Sequence, residues 1–397
     1  MQSTNFGRPV LKSITPNKLL SFGGDSNPID LKNLNIIIGP NGSGKSNLIE
    51  VINLLRSSPL DMRSVIRKGG GIREWIWKGE SNAVASIDAV IDNPKGQQPL
   101  RHIISFHEDN QKFCLDDESI ANEHSYLGDN TKPYFFYSYN KGAPLVKKFE
   151  NDPERQLTEE TVEKDISILS QRRDPDNYPV ISYLSTVYAQ IRIYREWTFG
   201  RNAVFREPQK ADMRNDILEE DFSNLGLFLN RLERIPKVKK AILEGLRDFY
   251  EGFDDFGISI EGGTVQVFFT EGNYSIPATR LSDGTLRYLC LLAILCDPKP
   301  PSLICIEEPE LGLHPDIIPR IADLFKEASH RTQLIVTTHS DILVDAMTDQ
   351  PESLIVCEKH SGKTIMKHLD PAGIGNWVEK YRLGELWTRG ELGGTRW

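Results

Sequence analysis

The sequence predicts an α/β fold, because two segments of the chain alternate short apolar runs with polar or glycine-rich loops and helical patterns. The first segment contains the apolar run 34–38, a glycine loop and the apolar-rich stretch 47–55. The second continues as strand, helix and strand from Leu303 to Thr338. Such alternation is typical of a parallel sheet with crossover helices.

A phosphate-binding loop motif connects the first apolar run to its helix. Residues 39–46 match the pattern G-x-x-x-x-G-K-[ST] and have the strand before and the helix after that the motif requires. Glycines let backbone N–H groups converge on phosphate oxygens, and the positive end of the helix dipole adds to the attraction. We expect Lys45 to reach the β- and γ-phosphates of a nucleoside triphosphate and Ser46 to ligate Mg²⁺. The predicted nucleotide-binding residues here are Gly39, Pro40, Asn41, Gly42, Ser43, Gly44, Lys45, Ser46 and Asn47.

Three polar motifs follow near the C-terminus. Glu307 and Glu308 end an apolar run, where an acid would hold Mg²⁺ and polarise water. The stretch 281–285, Leu-Ser-Asp-Gly-Thr, precedes an apolar helix and is either a second anion site or an ordinary turn and helix cap. His339 follows another apolar run and would lie at the carboxyl end of that strand, where α/β sheets bind ligands. These positions predict the rest of a nucleotide site.

The order of the motifs resembles that of an ABC-type ATPase head of the RecF, SMC and OLD branch. In this resemblance Walker A is 39–46, the signature is 281–285, Walker B is 304–308 and the switch histidine is His339. The resemblance implies a head-to-tail homodimer around ATP, in which the signature of one subunit contacts the γ-phosphate held by Walker A of the other. The signature residues expected to bind nucleotide are Ser282, Asp283 and Gly284.

The same resemblance implies roles for the other polar residues. Glu307 would support Mg²⁺, Glu308 would be the general base for the attacking water, and His339 would sense the γ-phosphate. Gln171 is the candidate for the Q-loop glutamine and hence for a third metal ligand, beside Ser46 and Glu307. The loop 309–315 occupies the position of the D-loop at the dimer seam.

This chain departs from the family pattern at three positions. Glu307 stands where an aspartate is commoner, Asp283 replaces the first signature glycine, and Thr285 stands where a glutamine is typical. The aspartate places a negative group near the expected phosphate, so the signature is the least regular of the motifs.

The predicted organisation has three parts. Residues 1–125 form the N-terminal part of the nucleotide-binding lobe, with Walker A and an added antiparallel β-sheet, which the alternating pattern between 83 and 115 predicts. Residues 126–295 are expected to form an inserted helical lobe that ends in the signature. Residues 296–397 complete the nucleotide-binding lobe with Walker B and the switch histidine.

Composition and charge limit the expected location and surface character of the protein. The longest purely apolar run, 289–296, is far shorter than the ~20 residues of a membrane span, so no membrane is expected, and a cytoplasmic location is the default in the absence of a secretory signal. The net charge of −9 argues against a surface that is basic throughout. The five cysteines form no C-x-x-C pair and are expected to be reduced.

Two segments have open interpretations. Residues 191–206 interleave four arginines with Tyr194, Trp197 and Phe199, which suits phosphate contact and base stacking by DNA; equally, the arginines of a helix edge could pair with nearby acids. The nearby acids are Glu196, Glu207 and Asp212. The C-terminal stretch 383–397, with two tryptophans among glycines, suits a partner surface or packing onto the chain's own core.

Three biological roles compete. The preferred one resembles the stand-alone ATPases of prokaryotic two-gene antiviral systems, where an ABC head works with a separately encoded effector such as a Toprim-like nuclease. OLD-type enzymes carry that nuclease after the head, but residues 340–397 are too few for a Toprim domain, so we expect it on a partner. The alternatives are a RecF-like sensor in DNA repair and an ATP-gated scaffold that does not hydrolyse. A transporter subunit is a distant fourth.

Overall fold

The structure is a computed structural model. It describes residues 8–125, 133–140, 143–146, 158–159, 163, 165–198, 200–370 and 381–394. Phe199 of the arginine-rich segment and Trp397 of the C-terminal stretch lie outside the described residues. The strands are β1 (Leu11–Asn17), β2 (Ile29–Asp30), β3 (Leu34–Ile38), β4 (Ala85–Ile91), β5 (Leu100–Asp109), β6 (Lys112–Asn122), β7 (Phe135–Asn140), β8 (Ala143–Val146), β9 (Thr158–Glu159), β10 (Arg192–Tyr194), β11 (Gln209–Lys210), β12 (Asp255–Glu261), β13 (Thr264–Glu271), β14 (Tyr274–Pro277), β15 (Leu303–Glu307), β16 (Gln333–Thr337), β17 (Leu354–His360) and β18 (Lys363–His368).

The helices complete the element order. They are α1 (Lys45–Ser57), α2 (Met62–Lys68), α3 (Ile72–Trp75), α4 (Ile168–Gln171), α5 (Pro179–Gln190), α6 (Leu225–Glu233), α7 (Pro236–Phe249), α8 (Asp283–Leu295), α9 (Ile318–Ala328), α10 (Asp341–Asp345) and α11 (Leu383–Thr388). Short 3₁₀ turns cover Val204–Arg206, Ala278–Arg280, Pro315–Ile317 and Pro351–Ser353.

The chain divides into two units. The first takes Met1–Ile191, Glu352–Asp370 and Leu392–Trp397, and the second takes Arg192–Pro351 and Pro371–Glu391. Each unit therefore contains part of the predicted nucleotide machinery: Walker A belongs to the first, and the signature, Walker B and His339 belong to the second. The predicted three-part division at 125 and 295 stays a prediction.

The first unit combines the Walker A strand with a large antiparallel sheet. Strand β3 is buried along its whole length and pairs in parallel with β17, which pairs antiparallel with β18. The antiparallel sheet has the order β2-β1-β4-β5-β6-β7-β8-β9, which confirms the added sheet that the alternating pattern predicts. Asn110 and Gln111 both have positive φ in the turn between β5 and β6, the geometry of a tight two-residue hairpin.

The second unit contains a parallel sheet and a smaller antiparallel one. Strands β10, β15 and β16 pair in parallel in that order, so the carboxyl ends of β15 and β16 lie side by side. Strands β11, β12 and β14 all pair antiparallel with β13. The predicted helical insertion is present in α4 to α7, but the stretch 126–295 also contains strands β7 to β14. The stretch predicted as a helical lobe is therefore a mixture of helices and strands.

A buried polar cluster joins the antiparallel sheet to α4 and α5. Glu118 and His102 are fully buried, and His102 Nε2 lies 3.1 Å from Glu118 Oε1 while its Nδ1 lies 3.1 Å from Tyr188 Oη. Ser167 Oγ and the backbone N–H of Ile168 donate to the two oxygens of Glu118, at 2.5 and 2.8 Å. The Glu118 carboxylate thus has three hydrogen-bonding partners in the core. A buried network of this kind stabilises the fold only when each of its members is bonded.

Replacing Glu118 by alanine is expected to lower the free energy of unfolding of the first unit by about 3–5 kcal/mol, because its buried partners lose their acceptor. Urea unfolding followed by circular dichroism measures the change. The matched control is Asp116→Ala on the same strand, which breaks the half-exposed 2.8 Å contact with His107 and is expected to cost less than about 1 kcal/mol. Equal losses in the two variants would contradict the assignment of Glu118 as the centre of the cluster.

Candidate active site

The phosphate loop lies between β3 and α1, and two of its glycines are required by close contacts. Gly39 has φ +151° and Gly44 has φ +113°, both outside the range that side-chain-bearing residues favour. A Cβ at Gly39 would lie 2.2 Å from the Cys357 carbonyl oxygen, and one at Gly44 would lie 2.2 Å from Thr364 Oγ1. Neither position can accept a side chain without moving backbone or strand β18.

The N-terminus of α1 suits a phosphate. No side chain caps it, and no acidic residue lies in its first turn. Lys45 is buried and its ammonium donates to the carbonyls of Gly39 and Pro40 at 2.8 and 3.1 Å, which holds a cation over the loop. An uncapped helix dipole with a lysine at the loop fits an anionic ligand.

A chain of hydrogen-bonded polar side chains supports the loop, and the sequence did not predict it. Thr364 Oγ1 donates to the Ser43 carbonyl oxygen at 2.6 Å, and Ser21 Oγ lies 2.6 Å from Thr364 Oγ1. Asn47 Nδ2 donates to Ser21 Oγ at 2.6 Å. Asn47, predicted as a nucleotide-binding residue, is thus part of the support. Thr364 lies more than three hundred residues downstream in β18, and no local sequence pattern marks it.

Glu307 and Glu308 lie at the carboxyl ends of the parallel strands, as the motif predicts. Glu307 is the last residue of β15 and pairs in register with Thr337 of β16. Its Oε2 accepts from Arg195 Nε at 2.9 Å, whereas its Oε1 is buried and has no hydrogen-bond partner among the described residues. A buried carboxylate oxygen without a donor suits a cation, so the donor set fits Mg²⁺.

Glu308 has an unusual backbone conformation. Its φ is +45°, in the left-handed region that residues with side chains seldom adopt and that costs of order 1–3 kcal/mol. Its N–H donates to the Thr337 carbonyl at 3.0 Å. The side chain places Oε1 3.7 Å from His339 Nε2, with each side chain about a third exposed. The structure therefore brings the predicted general base and the predicted switch histidine together.

Two stacked side chains hold the Walker B backbone. Trp197 Nε1 donates to the Glu307 carbonyl at 2.8 Å, and Arg287 Nη2 donates to the Glu308 carbonyl at 2.7 Å. The Arg287 guanidinium lies 4.2 Å from the centre of a Trp197 ring, a cation–π contact. Burial lowers the pKa of Arg287 to about 10, so the group is still charged at neutral pH. These donors account for how the strained Glu308 conformation is held.

Glu310 connects the D-loop to the histidine. Its Oε1 accepts from Thr338 Oγ1 at 2.7 Å and from the His339 backbone N–H at 2.8 Å. Burial raises the pKa of this carboxyl. The loop after Walker B and the loop that carries His339 are therefore fixed to each other, a link that the Glu-Pro-Glu sequence alone does not reveal.

The signature stretch forms a capped helix start. Ser282 Oγ accepts from the Thr285 N–H at 3.0 Å, which confirms the helix-cap interpretation; the anion site stays a prediction. Asp283, in the first turn, is paired with Arg206, whose hydrogen bonds lower the pKa of the carboxyl. A Cβ at Gly284 would lie 3.0 Å from the Gly312 carbonyl oxygen, so the signature and the D-loop are in contact.

Gln171 has local partners. Its Oε1 accepts from the Glu163 N–H at 2.8 Å, and its Nε2 donates to the carbonyls of Ile166 and Glu163 at 2.8 and 3.2 Å. The amide thereby closes the turn that precedes α4. Its assignment as a metal ligand stays a prediction, and these contacts give it no support.

The arginine-rich segment differs from one of its two interpretations, and the nucleic-acid interpretation stays a prediction. It is a short strand, β10, followed by an irregular stretch and a 3₁₀ turn, so the helix-edge interpretation is wrong. The ion pairs that the structure gives Arg195 and Arg206 are with Glu307 and Asp283, at 2.9 and 2.5 Å. The segment 192–206 is thus tied to Walker B and to the signature. We call it the arginine strap.

Comparison with known proteins places this geometry in a family. Residues 34–345 match the family described as "AAA domain, putative AbiEii toxin, Type IV TA system". The chain belongs to this family. No curated protein matches it.

Solved structures show the fold. The chain is similar to an SmcHead bound to the C-winged helix domain of ScpA, with a TM-score of 0.58, 16% identity and coverage of 92% of this chain and 99% of that one. It is also similar to a Pyrococcus furiosus Smc head bound to the C-terminal domain of ScpA, with a TM-score of 0.57, 14% identity and coverage of 94% of this chain and 99% of that one. A Pyrococcus yayanosii Smc head matches with a TM-score of 0.50, 12% identity and coverage of 94% and 99%. The predicted resemblance is confirmed at the level of the fold, which is that of an SMC-type ATPase head.

Family membership indicates ATP binding and hydrolysis, with the Mg²⁺ that such ATPases typically use. It agrees with the chemistry of the residues described above: an uncapped helix N-terminus with a lysine, a buried carboxylate oxygen without a donor, and a glutamate beside a histidine. Among the described residues, no helix is both long and apolar enough to cross a membrane.

Thr364→Val is expected to weaken ATP binding about tenfold, because it leaves the Ser43 carbonyl without its buried donor, a loss of about 1–3 kcal/mol. Titration with a fluorescent ATP analogue measures the affinity. Thr364→Ser keeps the hydroxyl and is expected to bind within about twofold of wild type. Wild-type affinity in the valine variant would show that the loop does not depend on this support.

Proposed function

We propose that the protein hydrolyses ATP between two copies of its ABC-type head and uses this cycle to control a separately encoded effector in antiviral defence. The observation that carries the ATPase part is the position of Glu308, held in a left-handed conformation 3.7 Å from His339 at the ends of adjacent parallel strands. A scaffold that only binds nucleotide has no need for a base and histidine arranged in this way.

Each residue has a part in the proposed reaction. Lys45 and the loop N–H groups bind the phosphates. Glu308 takes a proton from the water that attacks the γ-phosphorus, and His339 contacts the γ-phosphate oxygens. Ser46 and Glu307 are the predicted ligands of Mg²⁺, which would neutralise charge on the phosphates when bound. Trp197 and Arg287 keep the Glu308 carboxylate in place through its backbone.

The second unit offers a surface for the second copy. Ser282 is exposed at the signature, and Leu311 in the D-loop exposes 45% of its surface. The two loops are adjacent, since Gly284 packs against the Gly312 carbonyl. A signature and an exposed apolar residue on one face support the proposed head-to-tail dimer.

The effector is proposed on two grounds. The family description names a putative toxin of a type IV toxin–antitoxin system, which suits a role in defence. The similar Smc heads were solved bound to ScpA domains, so this fold can bind a separate protein. A Toprim-like nuclease is the proposed partner. A RecF-like DNA sensor has less support, because Arg195 and Arg206 of the proposed DNA segment are paired with acids.

Glu308→Gln is expected to lower ATP turnover by ~10²–10⁴-fold, because the amide cannot take the water's proton, while ATP binding remains. The variant is also expected to accumulate as a dimer with ATP and Mg²⁺. Light scattering gives the mass, and phosphate release gives the turnover. Lys45→Ala, which removes the phosphate-binding ammonium, is the control and is expected to stay monomeric. Full turnover by Glu308→Gln would contradict the assigned base.

The partner is tested by capture. Tagged Glu308→Gln with ATP is expected to retain a purified Toprim-like nuclease offered as the candidate effector, and Lys45→Ala is expected not to retain it. Equal retention by both variants, or by neither, would contradict control of an effector through the ATP state.

A further inference from the structure

The signature of this chain contains an acid that is neutralised by the arginine strap. Asp283 is the first residue of α8, and its Oδ1 accepts from Arg206 Nη2 at 2.5 Å and from Nε at 3.2 Å. The backbone N–H of Gly200 donates to the same carboxylate, at 3.1 Å to Oδ2. The strap thus provides all of these contacts to one residue of the signature.

Arg206 also fixes the backbone that leads into the signature. Its Nη1 donates to the Leu281 carbonyl at 2.5 Å and lies 3.5 Å from the Thr279 carbonyl. Only 8% of its side chain is exposed, whereas that of Asp283 is 34% exposed. The arginine is therefore a buried support behind an acid that reaches the surface.

An unneutralised carboxylate at this position would oppose the proposed function. In the proposed dimer the N-terminus of α8 faces the γ-phosphate of ATP bound to the other copy. Two negative groups brought together across an interface cost several kcal/mol. A buried guanidinium bonded to the carboxylate offsets this repulsion and leaves the helix N-terminus attractive to phosphate.

We propose that Arg206 is a positioning residue of the signature, which neutralises Asp283 and fixes the Leu281 carbonyl so that this stretch can receive the γ-phosphate held by a second copy. This inference rests on the proposed ATP dimer. It assigns to Arg206 a part in dimer closure and no part in binding ATP to Walker A of its own chain.

The test uses Glu308→Gln as the parent and adds Arg206→Gln, alone and with Asp283→Asn. Light scattering at increasing ATP with Mg²⁺ gives the ATP concentration for half-dimerisation. A fluorescent ATP analogue gives the affinity of the monomer. Arg206→Gln is expected to raise the concentration for half-dimerisation at least about tenfold, because Asp283 then repels the γ-phosphate. The affinity of the monomer for ATP is expected to be unchanged.

Adding Asp283→Asn to Arg206→Gln is expected to recover most of the dimerisation, because the charge is gone. A merely structural role of Arg206 would not be rescued in this way. Arg206→Lys, which keeps a cation, is expected to lie between the parent and Arg206→Gln. Arg201→Ala is the control, since Arg201 is exposed in the same strap, and is expected to match the parent.

Three outcomes would overturn the inference: dimerisation of Arg206→Gln at the parent's ATP concentration, a loss that Asp283→Asn fails to recover, or a loss of ATP affinity in the monomer. Failure of the parent itself to dimerise would refute the proposed dimer and this inference with it. That outcome is separate, because it appears before any change at Arg206. Circular dichroism of each variant excludes unfolding, and Arg206→Lys repeats the test if Arg206→Gln is unfolded.

Discussion

The pairing of acids with arginines at the ends of the second unit's helices and strands is the constraint on which this site depends. Glu307 is the proposed Mg²⁺ ligand and Asp283 belongs to the proposed signature, and each is bonded to an arginine of the strap. Without the arginines, both carboxylates would add negative charge beside the negatively charged phosphates of the nucleotide and would repel it. In the proposed site, the strap 192–206 therefore makes Walker B and the signature electrostatically compatible with ATP.

The strap also determines how the Walker B backbone is held. Trp197 lies in the strap, bonds the Glu307 carbonyl and stacks on Arg287, which in turn bonds the Glu308 carbonyl. The left-handed conformation of Glu308 persists because its surroundings fix it from both sides. Electrostatic neutralisation and backbone support thus come from one segment, which explains why arginines and aromatic residues alternate there.

The sequence predicted the features that neighbouring residues form, and it did not predict the contacts between residues far apart in the chain. The Walker A loop follows from glycines, a lysine and their flanking elements, and the placement of Glu308 and His339 follows from the ends of buried strands. Thr364, Arg206 and Glu310 could not be predicted, since their contacts join segments far apart in the chain. The acids paired with the arginine-rich segment were mispredicted for the same reason, because Glu307 and Asp283 lie about eighty to a hundred and ten positions away. The 126–295 stretch was predicted as helical because short strands leave little periodic signal.

The most direct test of a site shared by two copies is complementation between two inactive variants. Lys45→Ala removes Walker A binding and Ser282→Arg blocks the signature, so each alone should be inactive. Mixed dimers contain one site with both intact halves. An equimolar mixture is therefore expected to recover up to about a quarter of the wild-type ATP turnover, since about half of randomly formed dimers are mixed and each contains one active site. No recovery at any mixing ratio, with both variants folded, would contradict the shared site.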